Sequence, residues 1–432
     1  MSTSREIQRG RVALLASFLG GQGALQALQA VNGLACVWLL PIPEFAVYAV
    51  FTAALGLTSQ LLGFGINPTI VSLVGPEVDN RKKIARYLKA GGQLRTGTLA
   101  LVTPLGLALL WVSGGKSGFA AGMLGVLSVC LAGANILAAR IDLLSAPLQM
   151  QRRIGTLYRN QVFGEIVKTA VLAGLWLTQS VNVLTAVLAG LAGLACTHAW
   201  LRHAVGRFRT TDPVTAERRE ILHFILPGIP NALFGAFQGQ IALFVSAALG
   251  GARQTASVGA LGRISRLLAF CNAANPMLLG PSLTRLPEAS FQQRLPWVLT
   301  GAAGLSLALG LSGFLLPGPL IAILGARYQD LEGVVGLLTA GAGFAYAGSV
   351  MATIISFKRW TAWWYSFGVI TLVLCAQAVV CWRFPMNSVQ GVLALWVAAN
   401  AVRTVCMAGF IAVARMSPQW LRPAPQDEIA KP

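Results

Sequence analysis

The chain has 432 residues, 55% of them hydrophobic and only 11% charged, with a formal net charge of +19. A soluble domain carries about 25% charged residues, so this sequence cannot coat a water-facing surface of its size, and secreted, cytosolic and collagen-like classes are excluded. Uncharged runs of 32 residues separate Arg11 from Glu44 and Glu44 from Glu77, and a bilayer core takes about 20 helical residues.

Charges and turn residues divide the chain into twelve predicted membrane helices: Val12–Leu40, Phe45–Val74, Thr96–Gly114, Phe119–Gln149, Asn160–Thr178, Asn182–Trp200, Ile221–Leu249, Ser257–Leu283, Pro296–Leu316, Val334–Ser356, Thr361–Trp382 and Ser388–Ala414. The first is read as a retained span, because its apolar run exceeds a signal-peptide core of about 7–15 residues and no small-residue cleavage site closes it. The runs lack the alternation of barrel strands. All seven cysteines fall inside apolar runs, which points to free core thiols and away from a disulfide framework.

With both termini cytoplasmic, 24 of the 33 Lys and Arg lie on inner segments, 4 on outer loops and 5 within spans. That bias obeys the positive-inside rule. It also accounts for the net charge by membrane insertion and contact with anionic membrane lipids, so nucleic acid is not a partner. The outer loops are short. The longest inner loop, Leu201–Glu220, falls near the midpoint and divides the chain into lobes 1–210 and 211–432, six helices each. Asn67-Pro68 near the end of the second span is echoed by Asn275-Pro276 in the eighth, 208 positions on, as a parallel transporter repeat would place it. The fold class expected is an all-α membrane protein of two pseudo-symmetric lobes around a central cavity.

Enzyme signatures fail. Gly115-Lys116-Ser117 resembles the tail of a phosphate loop, but Leu110 stands where its first glycine is required. There is no G-x-S-x-G, H-E-x-x-H or C-x-x-C, and the three histidines lack ligand spacing. The chain reads as a non-enzyme with no metal and no cofactor.

Polar groups within spans are the remaining candidates, since each intramembrane charge costs about 2.5–3.5 kcal/mol on insertion scales. Arg403 lies about 18 Å from Arg415 along its helix, near the midplane. Arg263 and Arg266, three apart, share a face and read as an anion site or as side chains reaching outer headgroups. Glu165 and Lys168 either neutralise each other within one helix or serve function. Arg140 and Asp142 are two apart and cannot pair directly. Asp142 belongs to a polar stripe with Asn135 and Gln149, while Arg140 reaches Glu165 or the inner surface. Gln22, Gln26 and Gln29 form one polar face on the first span, near Asn32, and Asn231, Gln238 and Gln240 supply similar groups in the seventh. The summed intramembrane charge of +3 favours an anionic cargo over a cationic drug.

Leu39-Leu40-Pro41-Ile42-Pro43-Glu44-Phe45-Ala46-Val47-Tyr48 with Gly63-Phe64-Gly65 resembles the first hairpin of polysaccharide flippases. Leu226-Pro227 with Val258-Gly259 does so too. The run Pro319-Leu320-Ile321-Ala322-Ile323-Leu324-Gly325-Ala326-Arg327-Tyr328, then Gly336-Leu337-Leu338, resembles the family's ninth-to-tenth connection. The chain is thus similar to Wzx-like members of the multidrug/oligosaccharidyl-lipid/polysaccharide (MOP) exporter superfamily. The resemblance implies rocking lobes and transfer of a polyprenyl-diphosphate-linked glycan to the outer leaflet of a bacterial inner membrane. It implies polysaccharide polymerase and chain-length machinery as partners. Arg263, Arg266 and Arg403, with Arg140 and Lys168, would line the cationic cavity. Gln238 and Gln240 stand where the family often has Asp, which leaves H+ or Na+ coupling open. A cation-coupled multidrug exporter and a membrane glycosyltransferase or polymerase are the alternatives.

Overall fold

A computed structural model describes residues 2–416 apart from positions 64, 75–76, 78–79, 117, 152, 207, 209, 269–271, 273–274, 276–287, 359 and 361–362. Residues 2–19, 227, 288–289, 357, 363–364 and 416 are described by backbone alone. All described secondary structure is helical. Among the described residues, eight segments are long and apolar enough to span a membrane, and a ninth counts if one bent pair crosses as a unit; much of the predicted eighth span, Ser257–Leu283, lies outside the described residues.

The chain forms two compact units, Met1–Gly259 and Ala260–Pro432. The first contains α1 (Ser2–Leu39), α2 (Ile42–Gly63), α3 (Ile66–Val74), α4 (Arg81–Lys116), α5 (Ala121–Met150), α6 (Ile154–Leu177) and α7 (Val183–Val205). It also holds α8 (Thr215–Ile225), α9 (Ile229–Gln238), α10 (Ile241–Leu249) and the start of α11 (Ala252–Leu268). Residues 211–259 therefore belong with the first compact unit, where the sequence reading divided the chain at 210.

The apolar character of α2 runs round its whole circumference, and such a helix belongs inside a bundle. Accordingly Phe45, Val50, Leu57 and Leu61 are buried along its length, with α4, α5, α7, α9 and α10 packed around it. The helix breaks before α3 at Gly65, whose φ of +68° suits glycine. At the opposite end of α2, Glu44 accepts a 2.7 Å hydrogen bond from the Val183 amide at the start of α7. A carboxylate at a helix N-terminus is favoured by the dipole and by free amides.

Two differences from the predicted spans have clear causes. The segment from Arg81 to Arg95, read as loop from its six cations, is the first fifteen residues of α4. Its charges do not break the helix because they are partnered: Arg86 with Glu217 at 2.7 Å, Lys82 with Asp212 at 3.6 Å, and Lys89 with the carbonyls of Thr210, Thr211 and Asp212. The seventh span is broken into α8, a 3-10 turn at Leu226–Gly228, α9 and α10, with a 66° bend between α8 and α9. Pro227 and Pro230 remove backbone donors there, and Gly239 and Gln240 separate α9 from α10.

The second unit contains α12 (Glu288–Leu315), α13 (Pro317–Ala322), a 3-10 turn (Ala326–Leu331), α14 (Glu332–Phe357), α15 (Trp363–Arg383) and α16 (Val389–Met416). Helix α14 packs against α12 and α16. Phe291 and Leu295 of α12, Val350 and Ile354 of α14, and Met407, Phe410 and Ile411 of α16 form the core at one end of these three helices. The six described cysteines are free, and Cys271 lies outside the described residues.

Candidate functional site

The predicted site residues fall into four separate places. The first is a polar seam on α5, buried at Asn135 and exposed at Gln149. Asn135, Asp142 and Gln149 recur every seven residues and face one side, as their spacing requires. Asn135 Oδ1 accepts from Thr58 of α2 at 2.5 Å, and Gln149 Nε2 donates to Ser145 at 3.1 Å. Asp142 forms an ion pair with Arg95 of α4, whose guanidinium is buried and also donates to the Ala139 carbonyl at 2.6 Å and to Asn67 Oδ1 at 3.1 Å. Asn67 Nδ2 in turn donates to Asp142 Oδ1 at 3.1 Å and Ser145 Oγ at 3.0 Å. Asp142 is thus a matched charge, paired with a buried guanidinium while its own side chain is 45% exposed. Arg95 escaped the sequence reading because it closes a run of loop-like cations. The signal that points to it is the twenty uncharged residues that follow, which put Arg95 at the membrane edge of its helix.

The second place is a cavity of about 360 Å³ within the first unit, lined by Gln29, Tyr48, Thr52, Gln161, Glu165, Lys168 and Thr197 among others. Glu165 Oε2 accepts from Asn32 Nδ2 at 2.8 Å, and Asn32 Oδ1 accepts from Thr169 at 2.9 Å. The polar face of α1 therefore reaches the cavity through Gln29 and its neighbour Asn32, while Gln22 and Gln26 are half-buried further along. Close approach of α6 to α7 shapes this site. A Cβ on Gly164 would stand 2.9 Å from the Gly193 carbonyl, and one on Gly193 2.6 Å from the Gly164 carbonyl. The same polar residues lower the hydropathy of α1 and α6, and neither is among the eight clear spans.

The third place is a cavity of about 480 Å³ in the second unit, with Asn272, Ser349, Thr353, Ser356, Asn400, Arg403 and Thr404 in its wall. Arg403 is half-buried on α16, and no carboxylate or hydrogen-bond acceptor holds it among the described residues. At the cavity edge Asn275 Nδ2 donates to Ser349 Oγ at 3.2 Å, and Thr404 donates to the Phe344 carbonyl at 2.8 Å.

The fourth is a concavity of about 1190 Å³ that takes Arg140 away from Glu165. The remaining candidates are dispersed. Arg263 is buried and Arg266 exposed, so their shared helical face does not give them one environment. Asn231 is exposed, and Gln238 Nε2 is buried without a hydrogen-bond partner beside the break of the seventh span. Across that break, Gly56 of α2 leaves room for Gln240, whose Nε2 would lie 3.3 Å from a Cβ there.

No family model matches the chain, and no curated protein matches it in sequence. Solved structures do match its fold. An inward-facing multidrug resistance MATE family transporter of the MOP superfamily superposes with a TM-score of 0.67 at 16% identity, over 92% of this chain and 95% of that one. An outward-facing structure of a MATE family transporter gives 0.61 at 15% identity, over 95% and 96%. A MOP superfamily transporter from Pyrococcus furiosus, described as having a binding pocket of reverse polarity that suggests a different function, gives 0.58 at 14% identity over 95% and 96%. The chain therefore has a MATE-like fold, and its eight long apolar helices are those of a multi-pass membrane protein.

Proposed function

We propose that this protein is a non-enzymatic transporter of twelve spans, arranged as two six-helix lobes around a central cavity with both termini cytoplasmic. It resides in a bacterial inner membrane. It moves a polyprenyl-diphosphate-linked oligosaccharide, destined for O-antigen or exopolysaccharide, from the inner to the outer leaflet by alternating access. Polymerase and chain-length machinery then receive the glycan.

The observation that carries the choice of an anionic cargo is Arg403. A guanidinium at this depth, with no carboxylate beside it among the described residues, costs about 2.5–3.5 kcal/mol, and the hydroxyl and amide groups of Ser349, Thr353, Ser356 and Asn400 around it cannot cancel a full charge. A diphosphate offers a planar fork of donors the acceptors it lacks, while the polyprenyl tail stays in lipid. The Pyrococcus structure of reverse pocket polarity supports reading cargo class from the sign of charge in this fold. In a strain whose surface polysaccharide depends on this protein, Arg403→Ala abolishes the polysaccharide at unchanged protein level, and Arg403→Lys restores part of it. Full polysaccharide with Arg403→Ala overturns the reading.

A second reading, a cation-coupled multidrug exporter, is favoured by one specific feature, the Glu165 carboxylate held by Asn32 inside a cavity. The solved neighbours described as multidrug transporters support it as well. It predicts drug hypersensitivity on deletion and loss of H+- or Na+-driven efflux in Glu165→Gln. Unchanged drug resistance in the deletion strain removes it.

A further inference from the structure

The largest of these concavities, about 1190 Å³, plays no part in either reading. It is walled by Lys82, Leu88 and Lys89 of α4, by Arg140, Leu143 and Leu144 of α5, by His198 and Arg202 of α7, and by the connection through Phe208 and Asp212. The connection is held in place from below, since Lys89 donates to the carbonyls of Thr210, Thr211 and Asp212. Four cations face one carboxylate. Lys82 shares Asp212 at 3.6 Å, and Lys89 is occupied by carbonyls. Arg140 and Arg202 meet no acidic group within ion-pair distance among the described residues. The Nδ1 atom of His198 is buried without a hydrogen-bond partner.

Arg140 lies ten residues before the end of α5, about 15 Å along the axis, and is exposed on the hollow's wall, as is Arg202 in the last turn of α7. Basic hollows between membrane helices on the cytoplasmic side take phosphate-bearing headgroups, and the inference rests on the orientation proposed above, which puts the basic segments on that side. The leucines at 88, 143 and 144 add an apolar wall beside the charges, which a free anion does not need and a lipid glycerol backbone does. We infer that this hollow is a binding site for the phosphate-bearing headgroup of an inner-leaflet lipid, with Arg140 and Arg202 as its anchors. The site stands whatever Arg403 carries.

The test uses the full-length protein in detergent, supplemented with phosphatidylglycerol or phosphatidylcholine, and reads lipid retention by native mass spectrometry. Phosphatidylglycerol is retained over phosphatidylcholine, and in Arg140→Gln/Arg202→Gln that preference falls about tenfold. Arg403→Ala keeps it, which separates this site from the proposed cargo site. The same preference in the double variant overturns the inference. Displacement of bound phosphatidylglycerol by an equal concentration of inorganic diphosphate also overturns it, since the ligand is then a soluble phosphate and not a lipid. The variant's folding is checked by its Tm in phosphatidylcholine, where a value like that of the parent makes the lost preference specific to the headgroup.

Discussion

Asn67 and Asn275 sit in similar surroundings that are finished differently. Asn67 in the first unit and Asn275 in the second are both buried, and each donates from Nδ2 to a serine hydroxyl: Ser145 at 3.0 Å and Ser349 at 3.2 Å. Beside the first, a cation is present and its charge is answered, because Arg95 lies against Asp142 and two further oxygens. Beside the second, Arg403 faces a cavity with no carboxylate among the described residues. One scaffold therefore carries a closed charge and an open one. A closed buried pair fixes helices against one another, and an open one holds its energy in reserve for a ligand.

Breaking the closed site carries the largest cost. Asp142→Ala strands the Arg95 guanidinium, which is 3% exposed, and lowers stability by about 3–5 kcal/mol, read as a fall in Tm of the detergent-solubilised protein. Arg95→Ala costs less, since the Asp142 side chain is 45% exposed and water can reach it. The double variant falls short of the sum, as coupled partners do. A middle effect comes from helix packing beside the Glu165 cavity. Gly164→Ala drives a Cβ to 2.0 Å from Thr197 Oγ1 and costs about 1–3 kcal/mol, again visible in Tm. The smallest thermal effect belongs to the open site: Arg403→Ala leaves Tm unchanged or raises it slightly, because an unanswered charge is removed. A Tm loss at Arg403 as large as at Asp142 would erase the distinction between the two sites.

Much of this was legible in residue order. Apolar runs located helices, the seven-residue stripe on α5 placed Asn135, Asp142 and Gln149 on one seam, and the Asn-Pro echo drew attention to Asn67 and Asn275, each of which donates to a serine. Boundaries were less legible where charge was mistaken for loop. Arg81 to Arg95 reads as a solvated segment until Glu217 and Asp212, more than 120 positions away, are seen to answer it. Continuity failed at the seventh span for a related reason. Pro227, Pro230 and Gly239 are visible in the sequence, but whether prolines bend or break a span depends on which neighbours satisfy the freed backbone.

Composition and periodicity determined that the chain is helical, crosses a membrane many times and keeps cations within its spans, because lipid tolerates only internally hydrogen-bonded backbone and penalises every exposed charge. Tertiary structure alone decided which of those cations are spoken for. Neutralisation is set over the few ångströms between side chains on different helices, and no spacing along one helix can reveal that Asp142 goes to Arg95, that Arg140 parts from Glu165, or that Arg403 is left facing a cavity.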